Sequence, residues 1–61
     1  MKKVFVVFLV DSTTDEVVAK RSIVADDKDT ASAVAKALYA KDGKLSDKTT
    51  LAVSDTGATL S

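Results

Sequence analysis

Sixty-one residues make one domain of marginal size, in which folding buries only about 60% of the surface exposed by the unfolded chain. Nine basic and nine acidic side chains cancel to a formal net charge of zero, which removes the bulk field that would draw the chain to DNA or anionic lipid. With no cysteine and no histidine, there is no disulfide staple, no thiolate metal site, and neither the commonest metal ligand nor the usual general base near neutral pH.

Residues 4–10 read Val-Phe-Val-Val-Phe-Leu-Val, an apolar run without a polar break. Such a run, rich in Val and Phe, predicts a strand covered on both faces. It falls far short of the ~20 residues of a membrane span. Met1-Lys2-Lys3 ahead of it has the charge of a signal peptide, but Asp11 follows at once, without a small-residue cleavage site. The expected location is the cytoplasm.

Asp11 to Glu16 are short polar side chains and an acid that favour a turn. Residues 16–25 form a second strand, so the first two pair as a hairpin. With its tip at Thr13-Thr14 or across residues 12–15, Val10 faces Val17, Phe8 faces Ala19, Val6 faces Arg21 and Val4 faces Ile23. This register places Arg21 awkwardly on the side of the helix: either it reaches past the helix end or forms a salt bridge, or the register itself is wrong.

Asp26, Asp27 and Asp29 open a helix over residues 28–42. Asp27 is the expected N-cap, and Asp29 adds negative charge where the helix dipole favours it. Ala31, Val34, Ala35 and Leu38 give one narrow apolar stripe, and Gly43 supplies the left-handed residue that stops the helix. Residues 44–48 connect to a third strand over residues 49–54, with Leu51 and Val53 on one face. The tail, residues 55–61, is expected to turn and then to run extended; one arrangement lays Ala58, Thr59 and Leu60 across the sheet.

The order ββαβ predicts a single α+β domain over residues 1–61. Its sheet has three strands in the order 2-1-3, antiparallel about the most apolar strand, with the helix packed on one face. Val4, Val6, Phe8, Val10, Ile23, Leu51 and Val53 are expected under the helix. Phe5, Val7 and Leu9, flanked by Val18 and Val24, are then left uncovered.

The motif nearest to an active site is Leu51-Ala52-Val53-Ser54-Asp55-Thr56-Gly57-Ala58-Thr59, which resembles the strand and Asp-Thr-Gly-Ala loop of retroviral-type aspartic proteases. The resemblance implies Asp55 as one carboxylate of a shared-proton pair contributed by two subunits. That family needs further strands, a flap and a cleft after the loop, which four residues beyond Gly57 do not supply, so Asp55 is read as part of a turn. Helix capping accounts for Asp26, Asp27 and Asp29 better than a magnesium site does. Gly43-Lys44 lacks the upstream glycine and the Ser/Thr of a phosphate loop, and residues 11–16 lack the ligand pattern of a calcium loop. No catalytic residue, metal or cofactor is expected.

The reading that remains is a non-enzymatic protein–protein interaction module. It is expected to be a homodimer through Phe5, Val7, Leu9, Val18 and Val24, and a regulatory or inhibitory accessory to a larger protein target. The alternative is a nucleic-acid-binding module using Lys2, Lys3, Lys20 and Arg21 with Phe5 as a stacking ring.

Overall fold

In a computed structural model that describes residues 2–60, the chain forms strand β1 (Lys2–Asp11), strand β2 (Glu16–Ala25), helix α1 (Lys28–Lys41) and strand β3 (Thr49–Leu60). Met1 of the signal-like start and Ser61 of the tail lie outside the described residues. The sheet order is β2-β1-β3, with both pairings antiparallel. This is the ββαβ fold with the apolar strand at the centre.

The hairpin begins in the expected register, with Asp11 opposite Glu16 and Val10 opposite Val17, and then departs from it. From Leu9 onward Val18 is an extra residue in β2: Leu9 faces Ala19, Val7 faces Arg21, Phe5 faces Ile23 and Val4 faces Val24. Opposed residues of an antiparallel pair share a face, so a one-residue slip turns one strand over relative to its neighbour. Ala19, Arg21, Ile23, Leu51 and Val53 stay on the helix side as expected. On β1 the assignment is reversed. Phe5, Val7 and Leu9 lie under α1 at 1%, 0% and 0% exposure, while Val4, Val6, Phe8 and Val10 face the open side, each only half-buried.

The loop at the hairpin tip is held by local bonds. The Asp15 N–H donates to the Asp11 carbonyl at 2.7 Å and the Thr13 N–H to Asp11 Oδ1 at 2.8 Å. Asp15 takes the left-handed conformation, φ 59°, which Asp tolerates better than most side chains. Ser12 ties the tip to the distant connector, its N–H and its Oγ both donating to the Lys48 carbonyl at 2.7 Å.

Helix α1 starts as expected: Asp27 Oδ1 accepts the Thr30 N–H at 2.7 Å, and Asp29 sits in the first turn. It ends at Asp42 with Gly43 in the left-handed region, φ 72°. The Lys44 N–H closes back on the Tyr39 carbonyl at 3.0 Å, the wide turn that glycine permits at a helix end. The buried stripe differs from the expected one. It runs Ala31, Ala35, Tyr39, with Leu38 packed at its margin, and Val34 is 41% exposed. The two alanines are fully buried against the sheet, where the large side chains of the core are Phe5, Leu9 and Tyr39. The Tyr39 hydroxyl reaches the central strand and donates to the Val7 carbonyl at 2.8 Å.

The third strand is longer than expected. After Phe5 opposite Asp55, pairing resumes at Lys3 opposite Thr59 and Lys2 opposite Leu60. The bulge between is closed by side chains: Thr56 Oγ1 donates to the Val4 carbonyl at 2.8 Å, and Asp55 Oδ1 accepts the Gly57 N–H at 2.9 Å. Gly57 turns through φ 83°. The tail therefore continues in the plane of the sheet as part of β3 and does not cross its open face.

Two tests follow from these contacts. Tyr39→Phe removes one buried hydrogen bond at nearly constant volume and should lower unfolding free energy by about 1 kcal/mol in urea titrations. Burial raises the Tyr39 pKa above 10.0, with Arg21 opposing. The folded state therefore favours the neutral phenol: that stability is present below pH 10 and lost as pH rises through the raised value. Tyr39→Phe should flatten this alkaline loss. Asp27 shows the opposite sign. The Thr30 backbone N–H holds its carboxyl below 3.8, so its contribution is present above that value and lost as pH falls through the lowered one. Asp27→Ala should lower the melting temperature at neutral pH, whereas Asp27→Asn should keep the cap and lose only the acid dependence.

Candidate functional site

The sheet face away from α1 carries the chemistry that the fold leaves unused. Its floor is read in rows across the strands: Val17–Val10–Thr50, Lys20–Phe8–Ala52, Ser22–Val6–Ser54, and Val24 beside Val4. The middle of every row is apolar and belongs to β1. The flanks on β3 are short (Thr50, Ala52, Ser54), while those on β2 are longer (Val17, Lys20, Val24). Val17 and Val24 are 57% and 49% exposed. A shallow hollow of about 380 Å³ lies among Val6, Phe8, Lys20, Arg21 and Ser22 at the β2 side.

Of the residues expected at this surface, the structure keeps two exposed and buries three. Val24 stands on the open face opposite Val4, and Val18 is the extra residue of the β2 bulge, 62% exposed. Phe5, Val7 and Leu9 belong to the core under α1 with Ile23, Ala25 and the helix stripe. They are corrected as surface residues by the same one-residue slip that turned β1 over. Val4, Val6, Phe8 and Val10 hold the place that reasoning gave to them. Arg21 keeps the helix side it was expected to take, now opposite Val7, and meets the expectation of a salt bridge by pairing with Asp42 at the helix end at 3.7 Å. Both groups are partly exposed, so this pair contributes modestly to stability.

The basic residues of the alternative reading do not form one patch. Lys20 lies on the open face beside Phe8, and Lys2 is paired with Asp26 at 3.3 Å. Lys3, opposite Ala25, and Arg21 lie on the helix side. Phe5, the ring that would stack on a base, is buried.

The carboxylates are dispersed in the same way. Asp26 pairs with Lys2, Asp27 caps α1, and Asp55 closes the β3 bulge. Among the described residues no three acidic, histidine or cysteine side chains gather where one metal ion could be held, and no helix is long and apolar enough to cross a membrane. A comparison with protein-family models, with curated proteins and with solved structures finds no match to the chain.

Proposed function

We propose that this chain is a non-enzymatic protein–protein interaction module of the cytoplasm that pairs with a second copy through its open sheet face and acts as a regulatory or inhibitory accessory to a larger protein. The observation that carries this reading is the outward side of β1. Val4, Val6, Phe8 and Val10 occupy four successive outward positions, and among the described residues no element lies over them. A central strand that serves a monomer would alternate apolar and polar residues; this one spends apolar side chains on both faces.

A second copy fits the pattern of the rows. Two such faces packed about 10 Å apart, turned about an axis along β1, set the β2 side of one copy over the β3 side of the other. The long flank of Lys20 and Val24 then meets the short flank of Thr50, Ala52 and Ser54, and the two Lys20 ammonium groups stay apart. The face is about 14 Å wide and about 23 Å long at the usual strand spacings. That is small beside the ~800 Å² per partner of a standard interface, so the dimer is reversible and forms in the micromolar range.

Sedimentation velocity over the micromolar range tests this directly. The wild-type chain should shift from monomer to dimer with concentration, and Phe8→Glu should stay monomeric with an unchanged circular-dichroism spectrum. Val7→Glu, under the helix, should unfold the chain instead. A wild-type chain that sediments as a monomer throughout would refute the proposal.

A further inference from the structure

We infer that Asp42 is a site of spontaneous covalent modification, whose side-chain carboxyl closes on the Gly43 nitrogen to a succinimide that reopens as isoaspartate. Opening of the last turn of α1 sets the rate. The site lies at the helix end and does not depend on the pairing of two copies.

The sequence selects the residue. Asp42 alone among the aspartates is followed by glycine; every other is followed by Ser, Thr, Lys, Glu or Asp. Ring closure requires the backbone nitrogen of the next residue to reach the carboxyl carbon, and a Cβ on that residue crowds the approach. Glycine has no Cβ, and it lets the backbone rotate through conformations that other residues rarely visit.

The step needs no partner but water. The Gly43 nitrogen attacks Cγ of Asp42 and a C–N bond forms. The amide proton and the carboxyl hydroxyl leave together as water. Water then adds to one of the two ring carbonyls. Opening at Cγ restores aspartate. Opening at the α-carbonyl leaves the chain running through Cγ, one methylene longer, with the α-carboxylate as a branch. Nothing is oxidised or reduced.

The fold holds this reaction back. Asp42 sits at φ −79° and ψ −3°. At that ψ the Gly43 nitrogen eclipses the Asp42 nitrogen, well out of the plane through Cβ, Cα and C that the ring requires. The attacking nitrogen is also engaged: the Gly43 N–H donates to the Ala40 carbonyl at 3.1 Å, and the Lys44 N–H beyond it to the Tyr39 carbonyl at 3.0 Å. Closing the ring means rotating ψ and breaking these bonds. Misplacement of reacting groups slows a step steeply.

Little else resists that rotation. Asp42, Gly43 and Lys44 are exposed, and a Cβ placed on Gly43 would meet nothing within 4 Å. The Arg21–Asp42 pair is long, at 3.7 Å, and partly exposed, so it adds little. Tyr39, buried and bonded to the Val7 carbonyl, anchors the helix just before this turn. The end can therefore open while the helix stays docked, at a fraction of the free energy of global unfolding.

The test ages the full chain at neutral pH, below its melting temperature, over a series of urea concentrations. Isoaspartate is quantified in the chymotryptic peptide over residues 40–45, released by cleavage after Tyr39 and Leu45, and across the remaining peptides. It should form at Asp42 ahead of every other aspartate, and at least about tenfold more slowly in the folded chain than in the unfolded one. A local opening exposes little surface, so the rate should stay nearly flat in urea up to the unfolding transition. Gly43→Ala is compared with wild type in the urea-unfolded state, where its effect on folding drops out, and should react several-fold more slowly. Four results would overturn the assignment of a gated site at Asp42. These are isoaspartate absent from Asp42 in the folded chain or formed first at another aspartate, and equal rates in the folded and unfolded chain. The others are a rate that climbs from the lowest urea with the slope of global unfolding, and Gly43→Ala reacting as fast as wild type.

Discussion

One extra residue in β2 decides what this molecule shows to its surroundings. Val18 sits between Ala19, opposite Leu9, and Val17, opposite Val10. Were Val18 paired in the ladder opposite Leu9, the turn register would run on and set Val4, Val6 and Phe8 opposite Ile23, Arg21 and Ala19. With Val18 bulged out, Phe5, Val7 and Leu9 take those partners and go inside. Side-chain period in a strand is two, so a single inserted residue exchanges the whole apolar set of one face for the other. The core, the Tyr39 anchor and the open face all depend on that insertion.

The parts of the fold legible in the sequence are those governed by local chemistry. An unbroken apolar run placed β1 at the centre, short polar residues placed the turn, and Asp27 and Gly43 bracketed the helix. The order of strands then followed from connection rules. What was not legible depends on contacts between distant residues. Val18 carries no mark of a bulge, being as good a strand former as its neighbours. The helix stripe was misread for a related reason. Val34 suits an apolar face, but the buried arc runs through Ala31, Ala35 and Tyr39, and the Tyr39 hydroxyl finds the Val7 carbonyl. The extension of β3 was hidden by Asp55, Thr56 and Gly57, which read as a terminating turn. Their side chains in fact stand in for ladder bonds across a bulge and let pairing resume at Thr59.

The candidate site was legible in kind and illegible in membership. That β1 had too much apolar surface for one helix to cover was plain from composition alone. Which half of it stayed outside needed the register, and Arg21, which lies on the helix side in either register, could not decide it. Its pairing with Asp42 at the helix end shows a charge on the helix side resolved by reach, as long basic side chains on a sheet edge commonly resolve it.

The order of elements also governs the path to the folded state. The central strand comes first among the elements and its second partner comes last, so Asp11 waits for Thr49 and Lys2 for Leu60. The hairpin and the helix can form from near neighbours, but closing the sheet needs contacts spanning nearly the whole sequence. Such non-local pairing slows folding. The chain has no proline, so isomerisation adds no slow phase of its own. Until β3 arrives, β1 exposes an open edge as well as its outward apolar row. The period of greatest vulnerability to aggregation is therefore the interval between hairpin formation and the docking of the last strand.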